Sequence, residues 1–369
     1  MSTRIAQLFL LLIVPFLGMS QNNVCFSVSP NPNPSDPALS PFTKYINVFG
    51  IGIYAESSIS DAKVKHVAAI FAEWLDNNED GVVDDNNVWT ALTSRNALMP
   101  IFSQEGSAAE NTFFNNYMGN GVGAVCYNGE IVTTRPLTAQ FDATVEEVLH
   151  TISSVGYSNA YPSAFGEAAN SNSLLTQAMD VARGGHFTTI PNPYPASAWY
   201  TYDDATCNYN CMSTEYFYWG LTSKLGIQNY GNRCMEISNE WKACTPTQFQ
   251  TMDSLLYNLF HNPAGYVIPT VAPDGNYCPA TTAYLSISNN HPTINVFPNP
   301  AQQQISFVLG SGTYILKTMA ADGRICEQKQ VSVSHQYDMD IALLPRGVYF
   351  LEIMNTDTND TYFGKFLKQ

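Results

Sequence analysis

At Asn295-Val-Phe-Pro-Asn-Pro300 the chain changes pattern, and the change divides what it can fold into. Beyond that point come short segments of alternating polarity at 305–309, 314–317, 340–341, 344–353 and 365–366, with 322–324 reading as a turn. Successive side chains on a strand point to opposite faces, so this alternation predicts half-buried strands. Before that point, apolar residues recur at helical spacing in 61–75, 88–99, 143–152, 174–183, 213–225 and 247–260. Residues 48–54, 122–127 and 131–134 read as strands, the last two joined by a hairpin at Asn128-Gly129. The expected fold is an α+β central domain, mostly helical with a small sheet, followed by a C-terminal antiparallel β-sandwich. The expected bounds are 43–290 for the central domain and 293–369 for the sandwich. Residues 21–42, with Pro30-Asn-Pro-Asn-Pro34, read as an extended Pro/Asn-rich leader rather than a packed element.

The first twenty residues carry Arg4, an apolar run over 5–18 and then Met19-Ser20-Gln21. This is the pattern of a secretory signal peptide, cleaved after Ser20. The run is short for a membrane span, and no later stretch reaches spanning length. Eight cysteines in an exported chain predict disulfides. Cys207 and Cys211, and Cys234 and Cys244, are close enough for local bridges, but the spacing leaves the pairing open. A formal net charge of −15 argues against a nucleic-acid partner.

The C-terminal segment resembles the sorting domain of the type IX secretion system. The resemblance rests on Phe297-Pro-Asn-Pro300, Gly323-Arg324, Leu344-Pro345, Gly347-Val-Tyr-Phe350 and Lys365. It implies a small β-sandwich read by the type IX machinery, and a protein that passes through the periplasm to be secreted or held at the cell surface. The working part is then the central region.

Two motifs in that region point to metals. Asp76-Asn-Asn78-Glu-Asp80-Gly81-Val82-Val-Asp84 matches D-x-N-x-D-G-x-x-D, the first nine positions of a calcium loop. Asp76, Asn78 and Asp80 would present oxygens toward one point, Gly81 the sharp turn, Val82 a carbonyl, and Asp84 a further oxygen. The twelfth position is Asn87, where an EF-hand has a bidentate Glu, so the loop resembles the EF-hand or dockerin type in its first part. The rival reading is a solvated acidic turn.

The second motif is Glu146-Glu147-Val-Leu-His150 on the helix expected over 143–152. Glu146 and His150, four apart, share a helix face, and Glu147 leans into the same space. This is the geometry of H-E-x-x-H with Glu in place of the first His. A catalytic zinc or similar divalent transition metal needs a third ligand from elsewhere, and Glu215, with aromatics after it, is the candidate. Glu147 would serve as the base and Tyr209 as a donor to the developing oxyanion. The helix, Gly156-Tyr157 and Thr214-Glu215-Tyr-Phe217 together resemble gluzincin-type, anthrax-lethal-factor-like metallopeptidases, which implies hydrolysis of a peptide or a surface substrate. A Glu-Glu-His set carries more negative charge than His-His-Glu, which favours manganese or calcium over zinc. An i,i+4 Glu–His pair also occurs on ordinary helices, and Glu215 would suit a helix N-terminus. His186 is a substitute ligand. The alternative function is a calcium-stabilised, non-catalytic adhesion or binding protein. No serine nucleophile elbow, P-loop or dinucleotide fingerprint is present.

Overall fold

The computed structural model describes residues 25–133, 141–261, 265–279, 294–320, 325–358 and 360–369. The expected signal peptide, the end of the expected strand at Thr134 and the turn at 322–324 lie outside the described residues.

The sheet begins with β1 (Ser29–Pro30), β2 (Lys44–Val48) and β3 (Ile51–Ala55). Phe49 and Gly50 both take positive φ, 51° and 89°. Such a two-residue loop matches the right-handed twist of its flanking strands. It folds the run expected as one strand over 48–54 back on itself, pairing Val48 with Ile51. From β3 the chain crosses through α1 (Asp61–Leu75) and α2 (Asn86–Ser94) to β4 (Leu98–Phe102), which lies parallel to β3. It crosses again through α3 (Ala108–Asn116) to β5 (Cys126–Tyr127), parallel to β4. The strand order is β1-β2-β3-β4-β5.

Helix α1 is capped by Ser60, whose side chain accepts from Lys63 N, and it buries Val64, Val67, Ala68, Phe71 and Leu75 as its spacing predicts. The helix expected over 88–99 stops at Ser94, because Asn96 turns through positive φ (51°) and the chain enters the sheet. Every residue of β4 is buried, so it shows no alternation. The hairpin expected at Asn128-Gly129 does not form. Strand β5 pairs with β4 instead, and the Val132 amide donates to Asp142 Oδ1 at 3.1 Å.

The leader is also packed, contrary to its Pro/Asn composition. Asn31 Nδ2 donates to the carbonyls of Leu39 (2.8 Å) and Phe42 (3.0 Å). That tie presses Ala38, Leu39 and Phe42 against Tyr54, Leu98, Phe102 and Phe113. Cys25 is bonded to Cys278 across 253 residues, and Phe26 stacks on Tyr277.

The helical layer comprises α4 (Ala143–Thr151), a π-helical turn (Ile152–Tyr157), α5 (Ser158–Ala160), α6 (Pro162–Phe165) and α7 (Leu174–Arg183). It continues with α8 (Tyr209–Lys224), α9 (Arg233–Glu236), α10 (Pro246–Met252) and α11 (Ser254–His261). The helix expected over 247–260 breaks at Asp253. Its carboxylate accepts from Leu256 N (3.1 Å), Trp199 Nε1 (2.9 Å) and Tyr216 Oη (2.6 Å), so one side chain caps α11 and ties it to α8. Local disulfides Cys207–Cys211 and Cys234–Cys244 complete this region, and the Cys126 thiol is buried.

The C-terminal strands are β6 (Gln304–Val308), β7 (Gly312–Ala320), β8 (Ile325–Val333), β9 (Gln336–Asp340), β10 (Gly347–Asn355) and β11 (Thr361–Lys368). They form antiparallel sheets ordered β11-β10-β7-β8 and β6-β9. Ile305 and Phe307 from one sheet meet Leu316, Leu351 and Phe366 from the other in a core of their own, which is the expected β-sandwich.

Candidate metal centre

Helix α4 is held at its start by Asp142. Oδ1 of this residue accepts from Thr144 N (3.2 Å), and Oδ2 pairs with His66 Nε2 on α1 at 2.8 Å. Both side chains of that pair are buried. The expected stripe of Val145, Leu149 and Ile152 is buried, which turns the opposite face, bearing Glu146 and His150, toward α8. The α4 helix runs directly into the π-helical turn. There the Ser153 and Ser154 hydroxyls donate to the His150 carbonyl at 3.2 and 2.7 Å. Single π-turns inside helices recur at functional sites. Gly123 passes so close that a Cβ there would lie 2.6 Å from Thr151 Cα. The glycine is therefore required for the loop 119–123 to pack under the helix.

Asn208 caps α8 by accepting from Cys211 N, and the Cys207–Cys211 bond staples the cap to the first turn. Glu215 lies beyond that turn, so its carboxylate is not at a helix N-terminus. It faces His150 instead, with Oε2 3.4 Å from Nε2. One ligand atom each from Glu146, His150 and Glu215 lie within 4.8 Å of one another. Donors held about 2.0–2.1 Å from a tetrahedral ion sit about 3.3 Å apart, so the His150–Glu215 spacing suits a shared ion. His150 Nε2 and Glu215 Oε2 are both buried and have no hydrogen-bond partner. Their contact is the 3.4 Å approach to each other, longer than an ordinary hydrogen bond. Glu147 is half-buried, its Oε2 3.6 Å from His150 Nδ1.

The electrostatics reflect several acids crowded around one imidazole. Burial, then the charge of Glu215, pushes the Glu146 carboxyl up to about 8. Burial by itself would lower the His150 pKa, but the Glu215 and Glu147 carboxylates outweigh it and hold the imidazole well above its ordinary range. Glu167, pushed up to about 7 by burial, accepts from Thr214 Oγ1 at 3.0 Å and feels the His150 charge. It also lines a polar hollow of about 560 Å³ with Ser154, Ser158, Asn159 and Asn210.

Three further residues lie at this centre that the sequence did not assign to it, though the aromatic stretch 199–202, read as a sugar-groove lining or as core, contains one of them. They are Glu167, Tyr202, whose hydroxyl lies 3.5 Å from Glu215 Oε1, and Tyr218, whose ring meets His150 edge-on at 5.6 Å. Tyr218 is three residues from Glu215 on α8, a spacing that shares a face and was available as a signal. Tyr202 and Glu167 come from loops; the first was visible only as part of an aromatic stretch, and the second gave no signal. Tyr209 donates to Asp180 Oδ1 at 2.8 Å, and His186 Nδ1 pairs with Asp180 Oδ2 at 2.7 Å. These two residues are thus brought to Asp180.

The loop after α1 closes on its own amides. Buried Asp76 accepts from Asp80 N (3.1 Å), Gly81 N (2.7 Å) and Tyr277 Oη (2.5 Å). Asn78 Oδ1 accepts from Asp80 N, Asp80 Oδ1 from Val82 N, and Asp84 Oδ2 from Asn77 N. Gly81 supplies the turn at φ +88°. Asp85 caps α2, and Asn87 donates to Tyr161.

Among the described residues, no helix is long and apolar enough to cross a membrane. No curated protein matches the chain. Two solved structures are similar to parts of it. PorZ, an essential surface component of the type-IX secretion system of Porphyromonas gingivalis, is 17% identical over 21% of this chain and 11% of its own, with a TM-score of 0.18. A DUF3244-family protein of immunoglobulin-like β-sandwich fold from Bacteroides vulgatus is 22% identical over 22% of this chain and 88% of its own, with a TM-score of 0.18. Residues 295–369 match the family model of the secretion system C-terminal sorting domain. The chain therefore carries a type IX sorting domain at its C-terminal end, and that domain makes it a substrate for export to the cell surface or beyond.

Proposed function

We propose that the central region is a metal-dependent hydrolase that acts on peptide bonds outside the cell, with Glu146, His150 and Glu215 as metal ligands. The observation that carries this reading is the convergence of these three donors from two helices, with His150 Nε2 and Glu215 Oε2 buried 3.4 Å apart and without a further hydrogen-bond partner. Two carboxylates and one imidazole suit zinc, manganese or another divalent transition metal. When bound, such an ion polarises a carbonyl and acidifies water.

The remaining chemistry belongs to the chain. Glu147, next to a ligand and partly open to solvent, takes the proton from a water attacking the carbonyl carbon. It then passes that proton to the leaving amine as the C–N bond breaks. Tyr202 and Tyr218 wall the centre and limit water around the reacting carbonyl. The polar hollow beside Glu167 offers hydrogen-bonding room for a substrate backbone. Calcium in the loop of Asp76, Asn78, Asp80, Val82 and Asp84 enters the proposal as a structural ion rather than a catalytic one.

The test is turnover of casein or a fluorogenic peptide library by the full chain. Hydrolysis should vanish on treatment with a transition-metal chelator in excess calcium, and return with zinc or manganese. No turnover with any of these ions, by a folded and metal-loaded chain, refutes the hydrolase and leaves the non-catalytic binding protein.

A further inference from the structure

A second group of acids lies beside the loop motif and shares one residue, Glu79, with its sequence. Glu73, in the last turn of α1, Glu79, in the loop that follows, and Asp274, from the segment 265–279, bring one oxygen each within 4.8 Å of one another. Glu73 is 2% exposed, and its Oε1 is buried with no hydrogen-bond partner. Its other oxygen accepts from Gly275 N at 2.9 Å, which fixes the carboxylate toward the cluster. Glu79 takes positive φ (54°), a costly conformation for a residue with a Cβ. Asp274 Oδ1 accepts from Asn276 N at 2.9 Å, which fixes its carboxylate in the same segment.

The electrostatics agree with the geometry. Burial raises Glu73 to about 8, with Asp274 and Glu79 adding to it, and burial, Asp274 and Asp76 raise Glu79. Three acids this close oppose one another's ionisation, and a divalent cation relieves that repulsion. The donors are all oxygen, with no imidazole or thiolate, which selects a hard ion of flexible coordination: calcium rather than zinc.

We infer that Glu73, Glu79 and Asp274 form a calcium site with a ligand set distinct from that of the D-x-N-x-D-G motif (Asp76, Asn78, Asp80, Val82 and Asp84), and that its ion clamps the end of α1 to the segment 265–279. The same segment already meets the loop through Tyr277 on Asp76 and is joined to the N-terminal side by Cys25–Cys278. The clamp therefore closes the central region at the place where its two ends meet.

The experiment is calcium titration of the full chain by calorimetry, with thermal unfolding in parallel, on the wild type, on Glu73→Gln with Asp274→Asn, and on Asp80→Asn with Asp84→Asn. Glu73→Gln keeps the shape and the Gly275 contact, so the first pair should fold at least as well as wild type without calcium. That pair should lose one bound calcium, or weaken one dissociation constant of order 10⁻⁴ M by roughly tenfold or more, and lose part of the calcium-dependent rise in Tm. The Asp80/Asp84 pair should retain this site. The inference is overturned if the Glu73/Asp274 pair binds calcium with wild-type stoichiometry and affinity, if only the Asp80/Asp84 pair changes binding, or if wild type binds no calcium at millimolar concentration.

Discussion

A Glu147→Gln chain should bind its transition metal as the wild type does and hydrolyse peptides about 10² to 10⁴ times more slowly, the range general-base catalysis supplies. By transition-state arithmetic this corresponds to about 3–5 kcal/mol of barrier. The substitution keeps the side chain's length and its place beside His150, where Oε2 sits 3.6 Å from Nδ1. It removes only the capacity to accept and return a proton. Glu146, one residue earlier, serves the ion, so metal content should not change. The loss should fall on kcat rather than on KM, because the proton moves only in the transition state. Metal content by emission spectroscopy and steady-state kinetics on the same sample check both halves. If turnover survives Glu147→Gln but not Glu167→Gln, the base is Glu167, across the same centre.

The second large effect concerns the clasp between the ends of the central region. Replacing Cys25 and Cys278 by Ser should cost about 5 kcal/mol of stability. Closing a loop of 253 residues removes roughly that much entropy from the unfolded chain. By the same relation the short loops of Cys207–Cys211 and Cys234–Cys244, with separations of 4 and 10, are each worth about 2–3 kcal/mol. The ordering is the sharp part of the prediction, and urea unfolding of the three double-serine chains measures it. A Cys25/Cys278 variant no less stable than a Cys207/Cys211 variant would show that Phe26 on Tyr277 and the Asn31 ties already hold the N-terminal segment.

How far the sequence could be read depended on how local each determinant is. Helix α1 was legible because Ser60 and its apolar stripe are both local signals, and α7 because Gly184 ends it in a left-handed turn (φ +78°). Helix α4 was legible for the same reason, since Glu146 and His150 lie one turn apart. Glu215 was found by the pattern after it, and the fold brings it to 3.4 Å from His150. What escaped depends on distant partners. Strand β4 is buried on both faces, which removes the alternation that marks a strand. The break at Asp253 is made by Trp199 and Tyr216 from other elements. The leader looked unstructured because its packing rests on Ala38, Leu39 and Phe42, three apolar residues among prolines. The turn at Phe49-Gly50 was hidden by a bulky residue at positive φ, where sequence rules expect Asn or Gly. Cys25–Cys278 joins positions that no local spacing relates, and Tyr202 and Glu167 reach the metal centre from loops.

The claim on which the functional account rests is that Glu146, His150 and Glu215 hold one ion together. Metal analysis of the full chain after dialysis against zinc and calcium, set beside His150→Ala and Glu215→Ala, tests it most directly. The account predicts one tightly held transition-metal ion per wild-type chain, none in either variant, and unchanged calcium in all three. A wild-type chain that retains no zinc or manganese, or a His150→Ala chain that retains as much as wild type, contradicts it.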